Sequence, residues 1–268
     1  MKIAEVNGLY FDIPDNIWYS FFDSPYPAHK LGTAVDVYYC EKAFFPFEEG
    51  VVEEIKRVRT PQYVPSELDY LIVVKVDEFC LKTLHVKPTV RVGEKLGFGD
   101  EIGRLIVSGF FYPWSDKHAH FELRDCGDRY RARGGFLIKP LILKLIPSIK
   151  GDEFEVVERK DFYCWLKSTK VGGKTLTPLV YRDAPIEGGL PHYGYGVIFG
   201  DLDKVEIFGK EFQLQEKTFD KVRVFDTDFK VFANNQRVKG IGVYCNQEKI
   251  KLIGGNFKEG DVVKLTLS

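Results

Sequence analysis

The chain has 268 residues, enough for two domains of about 100–150 residues each. Hydrophobic residues make up 44% and charged residues 29%, so the chain can bury a core and is not disordered. With 38 Lys and Arg against 39 Asp and Glu, bulk charge speaks against a nucleic-acid partner. No apolar stretch approaches the roughly 18–20 residues of a membrane-spanning helix.

The N-terminal stretch MKIAEVNGLYFDIPDN has neither an apolar signal core nor a small-residue cleavage site, which predicts a cytoplasmic protein. Beyond it, short β-branched or aromatic runs recur, each closed by Gly, Asp or Pro. They are VDVYY (35–39), GVVEEI (50–55), LDYLIVVKV (68–76), KTLHV (82–86), EIGRLIV (101–107) and HAHFELR (118–124). Long 3.6-period stripes are almost absent, so the reading is all-β. FFYPWSD (110–116) reads as a loop because Pro113 interrupts pairing. Gly-punctuated segments such as VGEKLGFGDEIGRL (92–105) suit strands bending around an antiparallel β-sandwich or barrel.

After Arg124 the texture changes to a charged turn region and then a stretch with two prolines. The predicted domains are therefore 1–145 and 146–268. The second again alternates through VEIFG, KVRVF, FKVFANN and VVKLTL, with Asn234-Asn235 and Asn246-Gln247 as hairpin turns. It reads as a small antiparallel β-domain without a chemical signature. The five cysteines are scattered and form no C-x-x-C pair, so they are expected to be buried, reduced thiols.

Chemistry concentrates in the histidines. His118 and His120 form H-x-H, and two residues apart on a strand they share a face with Glu122, while Ala119, Phe121 and Leu123 face the other way. His29 precedes Asp36, which opens a hydrophobic run, and His85 lies in TLHV. Two His and one Asp are a donor set that zinc accepts, with a fourth position open to water. The net charge of such a site leaves Lewis acidity to polarise a carbonyl. Spare histidines nearby can take the water's proton or stabilise an oxyanion.

In these segments the sequence resembles the lysostaphin-type zinc endopeptidases, also called the LytM or glycyl-glycine endopeptidase family. HKLGTAVD (29–36), EGVV (49–52), TLHV with His85, VRVGEKLGFGDEIG (90–103) and HAHFELR follow that family's motifs in order over residues 29–124. The resemblance implies a duplicated hybrid motif, an antiparallel β-sandwich-like fold. It implies Zn2+ held by His29, Asp36 and His120, with His85 and His118 as catalytic histidines, and a peptide substrate cut by metal-activated water. Six residues separate His29 from Asp36, where the family has three, and SGFFYPWSDK (108–117) replaces the family's Gly-Thr-Gly loop. The alternative is a catalytically inactive module that binds a peptide or partner in the same groove.

Other residues have plainer expectations. His192, in a Gly-rich loop, is expected to be solvent-exposed. Arg129, Arg131 and Arg133 are expected to alternate on a strand face, as a solvated charged edge or a carboxylate clamp. Phe110, Phe111, Tyr112 and Trp114 either line a substrate groove or fill space between domains.

Overall fold

A computed structural model describes residues 1–61, 63–66, 68–215 and 221–268. The chain is nearly all β, as its composition and patterning imply, and it divides into two compact units. The first holds Met1–Phe21 and Tyr26–Leu141; the second holds Phe22–Pro25 and Ile142–Ser268. The division thus falls at 141/142 rather than 145/146, and a four-residue piece near the N-terminus belongs to the second unit. No helix among the described residues is long and apolar enough to cross a membrane.

The first unit begins with a hairpin, β1 (Lys2–Val6) and β2 (Leu9–Asp12). Asn7 and Gly8 turn it, both at positive φ, as a tight two-residue hairpin requires. Next come β3 (Trp18–Ser20), the single helical turn α1 (Pro27–Lys30) and β4 (Val35–Tyr38). They are followed by β5 (Lys42–Phe44), β6 (Glu49–Val58), β7 (Asp69–Val76) and β8 (Phe79–Leu84). Then come β9 (Val86–Pro88), β10 (Lys95–Gly97), β11 (Glu101–Leu105), β12 (Ala119–Asp125) and β13 (Lys139–Pro140).

A curled antiparallel sheet in the order β10-β6-β7-β8-β12-β4-β3 forms the body, with the smaller sheets β13-β1-β2 and β5-β11-β9 beside it. One face of β12 supports the core: the Phe121 ring lies 6.4 Å from Phe11, which in turn sits 4.8 Å from Phe47. The strands of the third sheet come close together. A Cβ at Gly103 would fall 2.3 Å from the Lys87 carbonyl oxygen, so the residue must be glycine.

In the second unit a long antiparallel sheet runs through Val222–Asp226, Tyr195–Phe199, Ala184–Leu190, Gly240–Val243, Ile250–Ile253, Tyr163–Ser168 and Glu153–Arg159. It continues through Val262–Leu267 to Val231–Ala233. Buried Phe154, Leu166, Ile186, Ile198, Phe225 and Leu252 make its apolar core. Asn234 and Asn235 turn a two-residue hairpin at positive φ, the conformation that Asn tolerates best after Gly.

Three expectations are corrected. Cys80 and Cys126 form a disulfide, leaving Cys40, Cys164 and Cys245 as free thiols. Neither spacing nor a C-x-x-C pattern announces that pair. It arises because β8 lies beside β12, with Cys80 opposite Arg124 in register. Arg129, Arg131 and Arg133 do not alternate on a strand, because a 3-10 turn at Cys126–Asp128 ends β12 and the chain bends after it. His192 is half-buried rather than exposed; burial, with Lys239 and Lys251 near, pushes its imidazole down to about 3.

Candidate metal centre

Adjacent strands assemble the centre. β12 pairs with β4 on one side and β8 on the other, with His120 opposite both Asp36 and Leu84. His120 and Asp36 are thus neighbours by register. His29 arrives from outside the sheet on α1, where Pro27 at the first helical position starts the turn and Leu31 closes it. The longer His29–Asp36 spacing is taken up by this turn and the bend after it, and both side chains reach one point. His29, Asp36 and His120 are all buried.

Asp36 Oδ1 lies 3.2 Å from His29 Nε2 and 2.8 Å from His120 Nδ1, and the two imidazole nitrogens are 3.2 Å apart. Each ring has its other nitrogen fixed. His29 Nδ1 donates to the Phe21 carbonyl at 2.8 Å, and His120 Nε2 lies 3.1 Å from Glu122 Oε1. Such outer partners select the tautomer that turns a lone pair to a metal. Tetrahedral zinc with bonds of about 2.0–2.1 Å needs ligand atoms ~3.3 Å apart, so this donor set fits the ion. Among the described residues, the other grouping of metal-type side chains, Glu53 with Cys80 and Cys126, is accounted for by the disulfide.

His118 stands on the opposite oxygen, with Nε2 3.3 Å from Asp36 Oδ2 and Nδ1 donating to the Asp116 carbonyl at 2.9 Å. Burial lowers its pKa to about 4 and outweighs the attraction of Asp36. In this neutral form its Nε2 lone pair faces the carboxylate. Burial also works against charge on His120 and Asp36, but their pairing prevails. His120 is raised to about 9 by hydrogen bonds with Asp36 and Glu122, while His118, His29 and His120 hold Asp36 well below the usual carboxylate range. With Nδ1 of both His29 and His118 given to backbone carbonyls, the Nε2 atoms of these two rings face the Asp36 carboxylate.

His85 lies at the break between β8 and β9, and its ring centroid is 5.2 Å from that of His118. Its backbone sits at φ 66, a left-handed conformation that an ordinary residue adopts only when its surroundings impose it. Asp69 imposes it. One carboxylate oxygen accepts the His85 amide at 2.9 Å, and the other lies 2.6 Å from His85 Nδ1 and accepts the Ser108 hydroxyl at 2.6 Å. Nδ1 is thereby spent, and Nε2 remains for chemistry. Burial disfavours the Asp69 charge, but His85 and Ser108 hold its carboxyl below the usual range.

Beneath the cluster, Glu122 accepts from Lys82 at 2.7 Å and from Arg124, which is itself completely buried. Burial opposes this carboxylate too, yet His120 and Lys82 bring its pKa down to about 2. Arg124 also donates to the Asp128 carbonyl at 2.7 Å and the Arg133 carbonyl at 2.5 Å. The arginine-rich segment therefore braces the base of the site with backbone carbonyls. Phe111 stacks on His118 with ring centroids 4.5 Å apart, and Phe110 lies 6.0 Å from His85. A cavity of about 200 Å³ opens beside His85 and His120.

All five histidine and aspartate positions expected from the sequence come together. Of the Lys82–Glu122–Arg124 group only Glu122 is expected at the site, on the face of His120; no motif assigns a role to Asp69, Ser108, Lys82 or Arg124. Their one signal was ionisable residues inside otherwise apolar strands, as with Asp69 at the head of DYLIVVKV and Lys82 in FCLKTL.

Fold and site define a two-domain, all-β protein whose first domain carries a buried imidazole–carboxylate cluster on an antiparallel sheet. Residues 13–140 match the family model of the DUF8155 N-terminal domain, and residues 147–268 match that of the DUF8155 C-terminal domain, both described as domains of unknown function. Between them the two models span nearly the whole chain, which belongs to this family. The comparison with curated proteins finds no match.

Proposed function

We propose that the first domain is a zinc-dependent endopeptidase of the lysostaphin type. His29 Nε2, Asp36 Oδ1 and His120 Nδ1 would hold the metal and a peptide would be the substrate. The observation that carries this reading is the spacing of those three atoms, 2.8–3.2 Å from one another, close to the ligand separations of a tetrahedral ion. When bound, zinc supplies a Lewis acid that polarises a carbonyl and acidifies water.

The chain's own groups do the rest. His118 and His85 accept the attacking water's proton at Nε2 and return it to the leaving amine. Asp69 keeps His85 in the tautomer with a free Nε2, and the Asp116 carbonyl does the same for His118. Once charged, either imidazole donates to the oxyanion that develops on the substrate carbonyl. Phe110 and Phe111 shield the two rings from water. The Cys80–Cys126 disulfide supports an oxidising setting over the cytoplasmic one that the N-terminus and cysteine pattern predict.

The test is metal content against cleavage in the full chain. Elemental analysis should find about one zinc per chain in the wild type and in His118→Ala, and little in His120→Ala. Cleavage of a mixed-sequence peptide library should be lost in both variants. If both variants keep the wild-type zinc content, the ligand assignment is wrong. If zinc-loaded wild type cleaves nothing, the endopeptidase reading falls.

A further inference from the structure

We infer that the cavity beside the centre is a specificity pocket for a large neutral side chain, aromatic or branched aliphatic, on the residue flanking the scissile bond. The inference rests on the metal-centre reading for the position of that bond. The pocket itself is argued from its walls.

Its volume is about 200 Å³. An engineered protein cavity of about 150 Å³ already accepts benzene, so a benzyl or isobutyl group fits, and a glycine would leave the space unfilled. Its walls are apolar or aromatic: Val58, Leu71 and Leu84 from the sheet, with Tyr26, Phe110 and Tyr130 around them. His85 and His120 are also part of its lining, so whatever fills it lies against the reacting groups.

The polar floor offers no free charge. Lys82 Nζ donates to Glu122 at 2.7 Å and to the Arg131 carbonyl at 3.2 Å, and Glu122 also accepts from Arg124. A charged side chain entering here would lose its water without gaining an uncompensated partner. A neutral one keeps only the gain from burial.

The rim is held in place before any ligand arrives. The Tyr26 hydroxyl donates to the Phe110 carbonyl at 2.8 Å, and the two rings meet edge to face at 6.0 Å. The Tyr130 hydroxyl donates to Glu54 at 2.7 Å and accepts from Lys56 at 2.8 Å, whose ammonium lies 4.3 Å above the ring. Walls fixed in this way need little reordering on binding, so buried apolar area converts more fully into affinity.

The experiment compares two probes on the full, zinc-loaded chain by calorimetry: N-acetyl-phenylalanine hydroxamate and N-acetyl-glycine hydroxamate. The phenylalanine probe should bind at least about tenfold tighter, the effect expected from burying one such side chain. Val58→Trp, which puts a large ring into the pocket's lining, should reduce that ratio to about one by weakening the phenylalanine probe.

Equal affinities in the wild type would overturn the inference, as would a ratio unaffected by Val58→Trp in a protein that melts as the wild type does. The matching amides, which carry no chelating group, separate the two readings. If the chain binds no zinc but still prefers the phenylalanine amide, the pocket stands and the metal reading falls. If neither pair shows a preference, the pocket falls.

Discussion

β12 in the first domain and the strand Ala184–Leu190 in the second occupy comparable positions, each inside an antiparallel sheet and each almost wholly buried. They differ in what their polar side chains meet. In the second domain, Glu187 accepts the Phe22 amide at 2.8 Å and the Cys245 thiol at 3.4 Å, so its polar partners are donors. Along β12, His120 and Glu122 meet each other, and His120 also meets Asp36 and His29. A buried polar residue with donors to satisfy it is a structural feature. Imidazoles and carboxylates gathered at one point are the donor set on which the proposed zinc site rests.

The sharpest way to break this contrast is to remove one carboxylate from each strand. Glu122→Ala leaves Lys82 buried without a counter-charge and Arg124 with Asp128 alone, and should destabilise the first domain by about 3–5 kcal/mol in urea unfolding. Glu187→Gln keeps an acceptor for the Phe22 amide and should change the second domain by no more than about 1 kcal/mol. Comparable losses would mean that the two carboxylates play the same role.

Next in size is the disulfide, which closes a loop of 46 residues across β8 and the end of β12. Its reduction should lower the stability of the first domain by about 2–4 kcal/mol and leave the second unchanged. Thiol titration of the unfolded, unreduced chain should count three free groups, Cys40, Cys164 and Cys245. A count of five would remove the staple.

The two domains should also respond to pH in opposite directions. His120 has a folded pKa raised to about 9, above the ~6.5 of an unfolded histidine. Its contribution is complete below pH ~6.5 and is lost as pH rises through about 9, at most about 3 kcal/mol. Chelator-treated protein should show this decline. Zinc affinity should rise over the same interval, because His120 must release its proton to bind. If His120→Gln leaves the alkaline decline unchanged, the assignment to His120 fails.

In the second domain, His192 has a folded pKa lowered to about 3. Its contribution is present above pH ~6.5 and is lost on acidification, about 2 kcal/mol by pH 5. His192→Gln should flatten the acid limb of the second domain's stability curve and leave the first domain's unchanged.

Much of this architecture was legible in one dimension. The strands at 35–38, 69–76 and 119–125 follow short β-branched and aromatic runs bounded by turn residues. The Asn234-Asn235 hairpin follows from the tolerance of Asn for left-handed backbone. H-x-H-x-E placed His120 and Glu122 on one strand face by period alone, although β12 begins one residue after His118. What misled was composition read without pairing. The arginines at 129, 131 and 133 alternate on paper, but β12 has already ended when the chain reaches them. His192 sits in glycine-rich sequence and is nonetheless half-buried.

The residue types that can carry chemistry, and the faces they take along a strand, follow from local rules of spacing and propensity. Tertiary structure decided which of them meet. Asp69 reaches His85 because β7 lies beside β8, Cys80 reaches Cys126 because β8 lies beside β12, and Lys82 reaches Glu122 because the same pairing sets them opposite each other. Strand order and register bring side chains from distant points of the chain to within 3 Å of one another, and no local preference encodes such a distance.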